Sequence, residues 1–292
     1  MRETGLQALR GGLEGMPHPE GMPEMAAVRD TSIPCGHGRL PLRVYSPSTE
    51  RESPAIVYFH GGGMVMGSNH SFEPLARALA AATGHRVVAV DYHLAPEHPA
   101  PAQAEDAWAA TRWVARHAAE LGVAPDRIAV AGDSAGGTLA ALVALRARDE
   151  GGPRLMCQVL MYGGLDRDMG ADSVRELADA PGLTRDDIVY LHELARTGAP
   201  EAPGPHEIPA YHDDLAGVAP AIVVVGELDP LGDWSQRYAR RLGESGVHTT
   251  LTRCPGVGHG FIMQLYHLAR GRLALAEIAG LLKAKAAHPL PW

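Results

Sequence analysis

Ser134 stands in Gly132-Asp133-Ser134-Ala135-Gly136-Gly137, with an apolar β-rich run (Arg127–Ala131) before it and a helix-forming run (Thr138–Leu145) after it. Gly-x-Ser-x-Gly between strand and helix predicts a turn so tight that side chains at positions 132 and 136 would clash. Such a turn lifts the Ser134 hydroxyl clear of the backbone, near the positive end of the following helix. A serine hydroxyl is a weak nucleophile, however. It needs an adjacent base, itself oriented by an acid.

The chain supplies both partners further on. Beyond one buried strand comes Gly226-Glu227-Leu228-Asp229-Pro230-Leu231, and in the loop beyond the last strand comes Gly256-Val257-Gly258-His259-Gly260-Phe261. Among the fifteen histidines, His259 lies between glycines in a loop, where a core histidine would be poorly held. For the acid, Asp229 lies in the turn, Glu227 is closer to the sheet, and Asp233 falls in the first turn of a helix, where it reads as a dipole partner.

A second chemical stretch lies upstream. The apolar strand Ala55–Phe59 ends in His60-Gly61-Gly62-Gly63-Met64. Three glycines have no packing value and are costly in backbone entropy, so they read as a loop whose bare N–H groups receive an anion. His60 reads as a structural residue orienting that loop.

The elements that must position these groups alternate. Val28–Pro34 and Leu40–Tyr45 read as an antiparallel hairpin around Gly36-His37-Gly38. Strands are expected at 55–59, 86–90, 127–131, 155–161, 221–225 and 249–252, and helices at 71–83, 102–121, 138–145, 231–242 and 266–283. This order predicts an α/β fold with a mostly parallel sheet covered on both faces. From Gly163 to Val218 the rhythm breaks into one or two helical stretches, Thr184–Arg196 being the clearer, and a Pro/Gly-rich connector at 198–209. That stretch reads as an insertion above the C-terminal ends of the strands, where substrate is enclosed. Residues 1–25 offer only a weak helix around Thr4–Leu13.

Composition removes other classes. At 292 residues, with 46% hydrophobic and 21% charged residues, the chain suits one α/β domain spanning 1–292. A net charge of -8 without any Lys/Arg run argues against a nucleic-acid partner. No apolar run approaches the roughly 18–20 residues of a membrane helix, and the N-terminus does not read as a signal peptide. Cys35, Cys157 and Cys254 are an odd, scattered set without metal-like spacing. They predict neither disulfides nor a metal site; no cofactor is expected, and the location expected is cytoplasmic.

Taken together, His60–Gly63, the segment Asp91-Tyr92-His93-Leu94-Ala95-Pro96-Glu97-His98-Pro99, Gly132–Gly137, Asp229-Pro230-Leu231 and Gly258-His259-Gly260-Phe261 resemble the hormone-sensitive-lipase-like carboxylesterases of the α/β-hydrolase fold. The resemblance runs in family order over about residues 28–265. It implies a Ser134–His259–Asp229 triad, an oxyanion hole of Gly62, Gly63 and Ala135, and a cap built from residues 1–25 and 163–218. The family pattern usually has Arg where His93 stands, Asn where Thr138 stands and an aromatic where Met64 stands. Met64, Met66 and Asp133 are the candidate pocket residues, the methionines because they are flexible enough to suit an adaptable pocket. The implied activity is hydrolysis of small carboxylic esters with short to medium acyl chains. A deacetylase, lactonase or acyl transferase with the same triad is the alternative, and a catalytically silent receptor would lack the histidine. A sheet edge formed by the last strand would suit a homodimer.

Overall fold

The computed structural model describes residues 1–199 and 207–288; most of the connector expected at 198–209 lies outside them. Eight strands form one sheet in the order β1-β2-β4-β3-β5-β6-β7-β8. They are β1 (Ala27–Cys35), β2 (Gly38–Ser46), β3 (Ser53–Phe59), β4 (Arg86–Val90), β5 (Val123–Asp133), β6 (Cys157–Met161), β7 (Ala221–Leu228) and β8 (Thr249–Gly258). β1 and β2 are antiparallel to their neighbours, and the remaining pairs are parallel. The helices are α1 (Leu6–Glu14), α2 (Glu73–Thr83), α3 (Ala102–Arg116), α4 (Ala118–Leu121), α5 (Ala135–Asp149), α6 (Asp172–Glu176), α7 (Arg185–Arg196), α8 (Gly232–Glu244) and α9 (Ala269–Ala287).

The central strands β3, β4 and β6 are apolar runs because both their faces are covered. Val57, Val88, Val130 and Val223 pack under α3, α5 and α8. Ile56, Val87, Ala129 and Val159 pack on the other face, under α2 and α9. At about 25 cal/mol per Å² of apolar surface, each fully buried Val or Ile contributes roughly 1.5–3 kcal/mol. The sheet's C-terminal edge therefore behaves as a stiff frame.

Most elements start or end a few residues from the sequence reading, and three differences are larger or have a visible cause. The single helix expected over 102–121 is broken at His117, whose backbone turns to φ -106°, ψ 21°. Its ring stacks on Trp113 and lies within hydrogen-bond reach of that residue's carbonyl, 2.9 Å away. The closing helix starts at Ala269 rather than Tyr266, after a 3₁₀ turn at Phe261–Gln264. Strand β8 continues past Thr252 to Gly258. Its second half, Arg253-Cys254-Pro255-Gly256-Val257-Gly258, has no hydrophobic alternation; it pairs with β7 at Arg253, Cys254 and Gly258, with a register shift between them where Gly256 turns to φ 70°.

Above the sheet, α1, α6 and α7 share one apolar cluster. Leu6, Leu9 and Leu13 of α1 meet Val65, Met66, Val174, Ile188, Leu191 and Trp234. α7 begins with a capping box in which Thr184 and Asp187 satisfy each other's backbone N–H groups. The Met1 amine lies 2.8 Å from Asp187, and Arg10 reaches the carbonyls of Val65 (2.7 Å) and Ala95 (2.8 Å).

Candidate active site

Strand register brings the chemistry together. The last paired residues of β7 and β8 are Leu228 and Gly258, so the next residues, Asp229 and His259, leave the sheet side by side. The last pair of β5 and β6 is Asp133 with Met161, followed by Ser134 and Tyr162. Phe59 pairs with Gly132, which sets the His60–Gly63 loop next to the turn at Ser134.

Ser134 sits at φ 52°, ψ -118°, a strained conformation for a residue with a side chain. The turn closes so tightly that a Cβ on Gly132 would lie 2.2 Å from Gly136, and one on Gly136 would lie 1.9 Å from the Phe59 carbonyl oxygen. The Ser134 N–H donates to the Met161 carbonyl at 2.9 Å. Held this way, Ser134 Oγ lies 2.8 Å from His259 Nε2, and His259 Nδ1 lies 3.0 and 3.1 Å from the two carboxylate oxygens of Asp229.

Asp229 is fully buried. Its Oδ1 also accepts the Leu231 N–H at 2.8 Å, which locks the carboxylate in the turn before α8. The carboxylate thus favours the tautomer with the proton on Nδ1, leaving Nε2 to accept from Ser134. Tyr162 packs edge-on against the His259 ring, with centroids 5.1 Å apart. Its contribution was not visible in the sequence, because nothing local marks a tyrosine as the floor under a distant histidine.

The other two carboxylates lie elsewhere. Glu227 is in β7 and accepts the Gly256 N–H at 3.0 Å. Asp233 is in the first turn of α8, and its Oδ2 accepts the Ser173 N–H at 2.9 Å. The expectation of a pure helix-dipole role for Asp233 is thus incomplete, since it also ties α6 of the insertion to α8. In return the Ser173 hydroxyl donates to the Pro230 carbonyl.

In the glycine loop, the Gly61 N–H donates to Asp133 Oδ1 at 3.0 Å, while the N–H groups of Gly62 and Gly63 make no hydrogen bond among the described residues. Gly62 must be glycine: it sits at φ 110°, and a Cβ there would lie 2.1 Å from the Met66 carbonyl oxygen. Ala135 opens α5, and its N–H makes no hydrogen bond among the described residues. His60 is buried between Phe72 and Tyr92, stacked on both, with Nδ1 2.7 Å from the Gly61 carbonyl. Burial holds its pKa below the usual histidine value.

Of the candidate pocket residues, Asp133 is buried yet borders the cavity of about 780 Å³ that Ser134 and His259 also line. Its Oδ1 accepts from the Tyr58 hydroxyl at 2.6 Å as well as from Gly61, and burial pushes its pKa up to about 6. It braces the glycine loop from below. Met66 lines a cavity of about 780 Å³ together with Ser134, His259, Gly62, Gly63, Tyr266 and the segment 16–19. Met64, held at φ 68°, lines two further compartments. One, of about 50 Å³, is bounded by Ser134, Ala135, Thr138 and Trp234, and the next, of about 400 Å³, by Pro101, Gln103, Leu142 and Tyr211. Arg167 and His192 border both.

Residues 56–263 match the family model described as the alpha/beta hydrolase fold. Esterase LipI of Mycobacterium tuberculosis is 41% identical over 89% of this chain and 82% of its own length. Carboxylesterase NlhH of the same organism is 42% identical over 84% of this chain and 78% of its own. Among solved structures, a Pyrobaculum calidifontis esterase superposes with a TM-score of 0.91 at 36% identity, covering 98% of this chain and 95% of that one. No helix among the described residues is long and apolar enough to cross a membrane.

Proposed function

The chain belongs to the hormone-sensitive-lipase-like branch of the α/β-hydrolase family, and we propose that within it Ser134, His259 and Asp229 form the triad of a carboxylic ester hydrolase. One observation carries the assignment: the continuous contact from Asp229 through His259 to Ser134 Oγ, next to the free Gly62 and Gly63 amides. His259 Nε2 takes the Ser134 proton as Oγ attacks the ester carbonyl. The developing oxyanion is received by the N–H groups of Gly62, Gly63 and Ala135. His259 then passes the proton to the leaving alcohol, and water repeats the cycle to release the acid. Residues 1–25 and 163–218 act as the cap of a single catalytic domain.

The compartments suggest a division of the substrate. The leaving alcohol must reach His259, which borders the 780 Å³ cavity and neither of the others. The acyl group therefore enters the 50 Å³ compartment beside Ser134, and longer chains continue past Met64 into the 400 Å³ one. Short and medium acyl chains follow as the preferred substrates. The three cysteines are unpaired, in keeping with a cytoplasmic site of action. The open edge of β8, where Leu251 is exposed, is the surface for a homodimer.

A panel of nitrophenyl esters of rising acyl length tests this reading. Turnover should peak at short chains, and Met64→Ala should shift the optimum towards longer ones. An unchanged optimum would remove the acyl assignment, and a panel without turnover would remove the esterase reading.

A further inference from the structure

Away from the triad, three metal-binding side chains converge from separate elements. Cys35 ends β1 at the hairpin turn, His93 follows β4, and Asp106 lies in α3. Their ligand atoms all lie within 4.8 Å of one another. The donors come from positions 35, 93 and 106, so no sequence spacing announces the cluster.

The electrostatics of the cluster are unfinished. Asp106 is fully buried, and its Oδ2 accepts the His93 N–H at 2.9 Å and lies 2.7 Å from His93 Nδ1. Its Oδ1 is buried without a hydrogen-bond partner. An unsatisfied buried carboxylate oxygen costs roughly 1–3 kcal/mol or more, and among the described residues no Lys or Arg makes an ion pair with this carboxylate, against which the Cys35 thiol stands as a hydrogen-bonding neighbour whose pKa burial and Asp106 raise. Two more imidazoles stand against the cluster: the His98 ring is 4.5 Å from His93, and the His37 ring is 6.0 Å from His93 and 5.7 Å from His98. His37 is exposed and His98 half-buried, which gives an ion a way in.

We infer that Cys35, His93 and Asp106, with a fourth donor from His98 or His37, bind one divalent ion of the zinc class. A thiolate–imidazole–carboxylate set in tetrahedral reach suits zinc, whereas calcium and magnesium take oxygen ligands. Bonds of about 2.0–2.3 Å place tetrahedral donors about 3.3–3.7 Å apart, so donors now within 4.8 Å of one another need close by no more than about 1 Å, and the 2.7 Å contact between His93 Nδ1 and Asp106 Oδ2 opens to admit the ion. The ion takes Asp106 Oδ1 and one ring nitrogen of His93. It displaces the Cys35 thiol proton to solvent, and if His93 binds through Nδ1 its ring proton moves to Nε2.

The other three-residue cluster is less fitted for an ion. In His18, His70 and Glu73, the carboxylate already pairs with Arg43 (3.0 Å) and Arg77 (2.6 Å).

The position gives the ion a structural consequence. The Gln103 amide grips the carbonyls of His93 (2.9 Å) and His98 (2.6 Å), and Gln103, Ala100 and Pro101 border the 400 Å³ compartment. The Ala95 N–H donates to the Met64 carbonyl at 2.9 Å. The ion would clamp the hairpin tip to the wall of the compartment bordered by Met64, without taking part in turnover.

The test starts from purified full-length chain stripped by a chelator and dialysed. Titration with Zn²⁺ alone should show one equivalent bound and a higher melting temperature. Co²⁺ in its place should give a thiolate charge-transfer band. Cys35→Ala should abolish the band and weaken Zn²⁺ binding at least tenfold, while metal-free turnover stays within about twofold of wild type. Asp106→Asn should weaken binding similarly, and where that buried change prevents folding the Cys35 variant decides. Absence of binding, a cobalt complex without the thiolate band, or binding unaltered by Cys35→Ala each overturns the inference.

Discussion

The frame at the C-terminal edge of the sheet and the roof above it are built by different physics. In the frame, Asp229, His259, Ser134 and Tyr162 each occupy the first position after a registered strand pair, and backbone collisions fix the Ser134 turn to within a Cβ. In the roof, α1, α6 and α7 meet through branched aliphatic and methionine contacts and are tied down by charges. Packing of that kind tolerates substitution at constant volume. Under the proposed function, the frame sets which reaction is possible and the roof sets which esters reach it.

The largest contrast is expected within one turn. Asp229→Asn keeps shape but offers His259 an amide, which favours the wrong tautomer and should lower kcat by up to ~10⁴. Asp233→Asn loosens the bond to Ser173 in the roof and should leave kcat within about tenfold, at a stability cost of roughly 1 kcal/mol. Steady-state kinetics and thermal melts of the two variants check this, and reversed phenotypes would make Asp233 the acid.

Acid stability separates the regions next. Burial holds His85, just before β4 at the end of the sheet away from the triad, down to about 4, and burial followed by the Arg167 charge holds His192, in the roof, down to about 3. Both imidazoles stay neutral in the native state, while an unfolded chain protonates them as pH falls through about 6.5. The unfolded state then binds more protons, so stability is lost as pH drops from about 6.5 towards 4, by on the order of 3 kcal/mol per imidazole. Denaturant melts across this window should show the loss. His192→Gln should remove only the share of the roof, and an unchanged pH slope would contradict the assignment.

The smallest effect belongs to the roof ties. Arg10 bridges α1 to the carbonyls of Val65 and Ala95 and to Glu97, whose carboxyl it holds down to about 2. Arg10→Ala should raise KM a few-fold for longer esters and leave kcat on an acetate ester nearly unchanged. A large loss of kcat on acetate would mean that the roof also holds the triad.

This division explains what the sequence made legible. Gly132, Gly136 and the Gly61–Gly63 run announce themselves because backbone geometry admits only glycine at several of these positions, and His259 stands out between two glycines. The role of Tyr162 depends on register with a strand that pairs only in the fold. The second half of β8 carries no alternation, and the bond between Asp233 and Ser173 joins residues 60 apart in the chain. The break at His117 depends on a ring turned back onto Trp113. All but the last are set by contacts far apart in the chain, and the last by a ring orientation, neither of which local pattern encodes.

The central claim is that Ser134 is the nucleophile, and covalent capture tests it most directly. A reactive alkyl phosphonate ester should add one phosphonyl group per chain, found by peptide mass spectrometry on Ser134, with full loss of ester turnover. Ser134→Ala should take up no label and lose on the order of 10⁶ in rate with an unchanged melt. Label on another residue, or a Ser134→Ala variant retaining more than a few per cent of wild-type turnover, would contradict the account.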